Sequence, residues 1–239
     1  MVAEQPLTYE ARARRILDAA AELVLRWGYR KVTVDEVASA AGVGKGTLYL
    51  HWRTKEALFT SVLLRESLSG IDELIARIER DPAELLPHRM AVAAYQAMSR
   101  PLVRAMNTGD TELLGKLATQ TDLSLVTLKE RMYHDYFALL REHGLVRTEF
   151  TVPELFYMHY CVTSGFFLAE RYRPRDNDQV DHATARLLGA GVRNALEAER
   201  PPDEDLLRAV APRAIELFQG VRASHAAAIS GSRSATRTS

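Results

Sequence analysis

TVDEVASAAGVGKGTLYLHWRTKEALF, Thr33–Phe59, is the stretch on which the fold turns, because it holds a run open to two readings. Taken alone, GVGKGT (Gly42–Thr47) looks like the phosphate-cradling loop of a nucleotide-binding enzyme. Such a loop needs a glycine five positions before the glycine that precedes the lysine. That position is Ser39. The loop should also follow a buried strand, yet VDEVASAAG has the pattern of a short amphipathic helix with its own cap. No strand-rich α/β pattern surrounds it, and no Asp closing a later strand offers itself to magnesium. The alternative is two short helices joined by a glycine turn, a helix-turn-helix.

Working outward, TVDE (Thr33–Glu36) has the form of a capping box, with Val34, Val37, Ala38 and Ala41 facing inward behind it. Gly42 supplies the turn and Val43 anchors it. A third helix then runs from Gly44 to about Trp52, with Leu48 and Trp52 inward. Lys45, Thr47, Tyr49, Leu50 and His51 are left on its outer or flanking surface. Small residues at a helix N-terminus let a backbone come close to DNA, and helices of this kind read bases with their N-terminal residues. Upstream, Thr8 caps a first helix whose stripe is Ile16, Leu17, Ala20, Leu23, Val24 and Trp27, with Gly28 as its stop. Downstream, Thr54 caps a long fourth helix that leads out of the unit.

These residues carry a resemblance. From Thr33 through the AGV turn and the GTLYLHW segment to KEALF, the chain is similar to the DNA-binding signature of the TetR family of bacterial transcriptional regulators. Trp52 stands where phenylalanine is commoner in that family. The resemblance implies an all-α fold with an N-terminal three-helix DNA-binding domain and a larger helical ligand-binding and dimerisation domain. It places Thr33, Lys45, Gly46, Thr47, Tyr49, Leu50, His51 and Lys55 at the DNA, and the location of Arg12, Arg14 and Arg15 suits an arm against the duplex. The sequence itself calls for no catalytic residues, no cofactor and no metal. One reading helix covers few base pairs, so such proteins work as dimers on paired half-sites. The family's dimer interface lies on late helices, here about 153–171 and 179–223, where LFYMHYCVTSGFFLAERY is apolar on more than one face and Ser164 and Gly165 permit close approach.

Domain limits follow: 8–54 for the DNA-binding domain, with the helix-turn-helix at about 33–52, 55–223 for the effector and dimerisation domain, and 224–239 as a small, polar, disordered tail. Candidate helices in the second domain are 82–99, 101–106, 110–117, 123–142, 153–171, 179–197 and 203–223. Breaks fall at RDP, NTGD, HGLVRTEFTVP, RPRDND and ERPP, and VRTEFTV is a weak strand candidate. An apolar or amphipathic small-molecule effector would be lined by Tyr95, Met98, Met106, Tyr133, Phe137, Tyr157, His159, Tyr160, Ser164 and Phe167. The plain alternative for each is a core residue. His159 beside Cys161 is a packed pair rather than a metal site, since no Asp, Glu and His arrangement has metal spacing.

Composition bounds the rest. The 239 residues are 47% hydrophobic and 26% charged, an ordinary globular mixture. One cysteine excludes an intramolecular disulfide framework and fits a reducing cytoplasm. The N-terminus has no secretory apolar run, and Phe156–Leu168 is too short to span a membrane. Net charge is zero, which argues against bulk nucleic-acid affinity. Residues 1–60 hold nine lysines and arginines against seven acids, so position matters more than sum. The reading is a soluble cytoplasmic DNA-binding regulator, a repressor released from its operator by a small molecule, and not an enzyme. Two alternatives stand beside it: a helical ligand-binding protein without DNA function, and a nucleotide-binding enzyme built on GVGKGT.

Overall fold

The computed structural model describes residues 8–118, 123–172 and 182–234. Eleven α-helices are described: α1 Tyr9–Trp27, α2 Val34–Ala40, α3 Lys45–His51, α4 Lys55–Arg80, α5 Pro87–Ala97, α6 Pro101–Thr108, α7 Thr111–Leu114, α8 Leu123–Glu142, α9 Val152–Ala169, α10 His182–Leu196 and α11 Glu204–Ser234. The sole β pairing among the described residues is an isolated antiparallel bridge, Val146 to Glu197. It takes one residue from the expected VRTEFTV strand. The all-α expectation holds.

The chain divides into two compact units. One gathers the described residues among Met1–Glu66, Gly109–Gln120 and Ala226–Ser239; the other gathers Ser67–Thr108 and Thr121–His225. The division differs from a single cut at residue 54. Helix α4 contributes to both units, and α7 belongs with the first although it lies far along the chain.

Within the first unit, α1 packs on α2 and α2 on α3. Ile16, Leu17, Ala20, Val24, Val37, Ala38, Ala41, Leu48 and Trp52 are buried together with Leu58, Phe59 and Val62. The predicted α1 stripe fails at one end: Trp27 is 52% exposed, with the Arg26 guanidinium over its ring at 5.3 Å. Trp27 lies on the last turn, immediately before Gly28 ends the helix with φ 74°. The α7 segment closes on this end. Asp110 caps it by accepting from Glu112 N and Leu113 N at 3.0 Å each, and Tyr29 N–H donates to the Leu113 carbonyl at 2.8 Å. Lys116 pairs with Glu56.

In the second unit, the core runs through Ile75, Ile78, Leu85, Met90, Tyr95, Tyr136, Phe137, Leu140, Leu155, Leu188, Val192, Val210 and Phe218. Helix α10 packs on α5 and α9, and α8 on α9. Gly189 sets the α10–α5 distance, since an added Cβ would lie 2.8 Å from Val92 Cγ2. The helix expected over 82–99 is broken. Pro87 cannot donate its N–H, so a tight turn at Pro82–Leu85 ends at Leu86 and Pro87 begins α5 at a first-turn position that suits it. The start expected at Gln179 and the RPRDND break lie outside the described residues.

The tail is a correction. Residues 224–234, expected to be disordered, continue α11 to Ser234, and Ile229 is buried. Ala226, Ala227 and Ala228 are small, but alanine is also the best helix former.

Candidate nucleic-acid interface

The turn between α2 and α3 is fixed by backbone first. Gly42 has φ 63°, a left-handed conformation that costs glycine little. Its N–H donates to the Ser39 carbonyl at 3.0 Å, and Val43 N–H to the Ala38 carbonyl at 2.9 Å. An added Cβ at Gly42 would also sit 2.7 Å from Arg15 Nη2, so the α1 guanidinium lies directly on the turn. The capping box at the head of α2 is complete: Thr33 Oγ accepts from Glu36 N–H at 3.2 Å, while Glu36 Oε2 accepts from Thr33 N–H at 2.7 Å and from its hydroxyl at 2.8 Å. The Thr33 backbone N–H, then its hydroxyl, hold the Glu36 carboxyl below the usual carboxylate range. Thr33 is exposed, but its hydroxyl proton is committed to Glu36.

Helix α3 begins at Lys45 with Gly44 as N-cap and no side-chain cap bond. Leu48 and Trp52 are fully buried, and Trp52 Nε1 donates to Ser61 Oγ at 2.9 Å. That bond is unavailable to phenylalanine. On the opposite side, Lys45, Gly46, Tyr49 and Leu50 are exposed and Thr47 is half-buried. Leu50 is 62% exposed, unusual for a leucine on a well-formed helix. Lys45 Nζ pairs with Asp35 Oδ2 at 2.9 Å, and this bond raises its pKa. At Gly46 an added Cβ would meet nothing within 4 Å, and at Gly44 its nearest contact is Thr47 Oγ1 at 3.9 Å. The protein's own packing therefore gives no reason for a missing side chain at Gly46.

Two residues expected on this surface are placed differently. His51 is 1% exposed, its ring stacked on Tyr9 at 4.1 Å and tilted against Trp52 at 5.5 Å. It follows Leu48 by three positions, so it shares the inward face, and Tyr9 of α1 closes over it. Lys55 is half-buried. Its ammonium donates to the Tyr29 carbonyl at 2.5 Å and lies over the Tyr29 ring at 4.4 Å. Burial lowers its pKa, with Glu36 opposing. Arg14 and Arg15 are exposed and Arg12 half-buried.

The residues expected to line an effector pocket separate into two groups. Tyr95, Met98, Phe137, His159 and Phe167 are buried, while Met106, Tyr133 and Ser164 are half-buried. Rings of Tyr133 and Phe137 lie 5.5 and 5.6 Å from the His159 ring, and Tyr95 stacks near Phe167 at 6.4 Å. The Tyr95 hydroxyl donates to Glu170, an acidic partner that sequence spacing did not suggest. Tyr157 and Tyr160 depart from the expectation. They are 69% and 59% exposed, because on α9 their positions fall opposite Leu155 and Thr163. With Cys161, Gly165 and Leu168 they form an outward face. A shallow, largely apolar groove of about 490 Å³ lies beside it, lined by Phe150, Pro153, Glu154, Tyr157, Met158 and Cys161. An added Cβ at Gly165 would meet nothing within 4 Å.

A family model described as bacterial regulatory proteins, tetR family, matches residues 16–62. Over 135 residues the chain is 33% identical to YvkB of Bacillus subtilis (strain 168), an uncharacterised HTH-type transcriptional regulator, covering 56% of this chain and 70% of that protein. It is 42% identical over 65 residues to YhgD of the same organism, also an uncharacterised HTH-type transcriptional regulator, covering 26% of this chain and 34% of that one. The chain spans roughly a third to three-fifths of the first curated relatives it matches. The solved fatty acid degradation regulator FadR of Bacillus halodurans shares the fold with TM-score 0.54 and 18% identity, over 75% of this chain and 96% of that one. Among the described residues, no helix is long and apolar enough to cross a membrane.

Proposed function

Because the chain belongs to the TetR family of bacterial regulatory proteins, we propose that it is a cytoplasmic, homodimeric DNA-binding transcriptional regulator. In this reading it is a repressor released from its operator by an apolar or amphipathic small molecule, and it has no catalytic role. The observation that carries the reading is the outer surface of α3. There a glycine with open space outside it, an exposed lysine and two exposed apolar side chains share one short helix. At Gly46 the absence of a Cβ saves room beyond the molecule, where a sugar–phosphate backbone would approach. The exposed Lys45–Asp35 pair is worth little by itself, so a phosphate can take the place of Asp35 and add the counterion-release gain of DNA binding. The Tyr49 hydroxyl suits a phosphate oxygen, and Leu50 an apolar contact such as a thymine methyl.

The direct contact set is therefore Lys45, Gly46, Thr47, Tyr49 and Leu50. His51 positions α3 through its stack with Tyr9, and Lys55 ties the head of α4 to the Tyr29 carbonyl. Thr33 is assigned to capping. The arm role of Arg12, Arg14 and Arg15 is kept for Arg14 and Arg15, whose side chains are exposed.

The exposed α9 face of Tyr157, Tyr160, Cys161 and Leu168 supports self-association through α9 with α10 or α11. The buried aromatic group around His159 supports an apolar effector, with Tyr95 and Glu170 as polar fixtures. Tyr157 and Tyr160 belong to the dimer surface rather than to the pocket. Effector binding would act by population shift: a ligand that prefers the dimer state with wrong half-site spacing releases DNA to the extent of that preference. Helix α4, which has residues in both units, is the proposed carrier.

Binding-site selection from random duplexes with the purified protein tests the reading. Enrichment of a two-fold symmetric site, with affinity falling steeply as salt rises, is the expected result. Failure to enrich any sequence above random duplex would favour the helical ligand-binding alternative.

A further inference from the structure

Helix α3 presents one cation, and that cation is already engaged. Lys45 is the only lysine or arginine in α3, and its Nζ donates to Asp35 Oδ2 at 2.9 Å. That hydrogen bond, then the Asp35 charge, raise the Lys45 pKa. The Lys45 and Asp35 side chains are 54% and 63% exposed, so the pair stands in solvent. Its members come from different helices, Asp35 from the first turn of α2 and Lys45 from the first position of α3. The left-handed turn at Gly42 brings them together.

The fold itself has little use for this carboxylate. The capping box of α2 is complete with Thr33 and Glu36 alone. An acid in a first helical turn favours the helix dipole, but Glu36 already supplies one there. An ion pair this exposed adds little to stability. Its effect falls instead on what Lys45 can do outside the protein. To meet a backbone phosphate with its full charge, the Lys45 ammonium has to give up Asp35. The carboxylate left beside it then repels the same phosphate. Asp35 and a phosphate are rivals for one cation.

Resting on the DNA-binding reading above, we propose that Asp35 is a built-in competitor for backbone phosphate, a brake on α3 that lowers affinity for any duplex whatever its sequence. Phosphate contacts carry no sequence information, and they supply the non-specific binding that holds a regulator away from its own site. Weakening them at Lys45 leaves more of the choice of site to contacts with base edges, such as the one Leu50 offers.

Fluorescence anisotropy titration of the full chain tests this on two labelled probes, a random-sequence duplex and the duplex enriched by site selection, each at stepped salt concentrations. Asp35→Asn keeps the side chain's shape and removes its charge. At low salt it should bind both probes more tightly by about three- to fivefold. The gain should shrink as salt rises, giving a steeper log–log salt slope than the unaltered chain. With Lys45→Ala already present, the same substitution should gain less than about twofold, because the rivalry has lost its object. An equal gain with and without Lys45 would mean that Asp35 merely repels the duplex, and overturns the competition. A gain on the enriched duplex alone would place Asp35 at a base edge and likewise overturns it. If the unaltered chain binds both probes and Asp35→Asn gains nothing, the brake falls while the DNA reading stands. If the unaltered chain binds neither probe, the DNA reading falls and the brake with it.

Discussion

Helices α3 and α9 both leave large apolar side chains in solvent, but they do so differently. On α3 the exposed Tyr49 and Leu50 sit in seven residues beside Gly44, Lys45 and Gly46. On α9 the exposed Tyr157, Tyr160 and Leu168 spread along eighteen residues beside an apolar groove, with no lysine or arginine in the helix. Each has a glycine whose absent Cβ relieves nothing inside the protein. A narrow surface with a cation and a gap for backbone suits a duplex. A long, mostly apolar face whose one charge is Glu154 at its head suits another copy of itself. Exposure alone does not separate the two cases; the charge beside it does.

The sharpest way to break the contrast is to put charge on α9. Tyr160→Glu with Leu168→Glu should convert the dimer to monomer in sedimentation and lower operator affinity by about a hundredfold or more, since half-sites are then bound singly. A variant that stays dimeric would remove α9 from the interface. The next largest effect comes from adding the same methyl group to each helix. Gly46→Ala should lower operator affinity by about tenfold through backbone approach, yet raise the melting temperature, because alanine gains up to about 1 kcal/mol over glycine within a helix. Gly165→Ala should weaken dimerisation with the same helix gain. If both substitutions leave both affinities unchanged, the two glycines carry no message about outside partners. Lys45→Ala is milder: affinity should fall several-fold and the log–log salt slope flatten by about one, with dimerisation intact.

The smallest effect treats the two regions alike. Glu36 before α3 and Glu154 at the head of α9 each close a capping box, with Thr33 and Thr151. Both carboxyls are held below the usual range, Glu36 chiefly by a backbone N–H and Glu154 chiefly by a threonine hydroxyl. A depressed carboxyl contributes stability that is present above its unfolded pKa and lost as pH falls through the folded one. Melting temperature should therefore fall between about pH 5 and pH 2, and Glu36→Gln should flatten part of that fall.

Much of the first unit was legible because its signals are local. Thr33 and Glu36 lie three residues apart, Gly42 needs only its own φ, and Leu48 and Trp52 share a face by spacing. What spacing could not show there are contacts from elsewhere in the chain. Nothing near His51 in sequence announces Tyr9, and the Tyr29 carbonyl that Lys55 meets is twenty-six residues away. The second unit was less legible. Helix α9 is apolar on several faces, so periodicity could not say which aromatics point to the core; Tyr157 and His159 are two residues apart and end on opposite sides. The contact between His88 Nδ1 and Glu197 had no sequence signal, since the two residues are separated by 109 positions.

The continuation of α11 to Ser234 has a practical consequence. By composition, SHAAAISGSRSATRTS looks like a stretch to trim or to replace with a purification handle. Residues 226–234 belong to the same unit as α3, and Ile229 is buried. Trimming at residue 224 would therefore cut into the folded body of the unit that holds α3. Handles belong beyond Ser234, and measurements made on the shortened chain describe a different molecule.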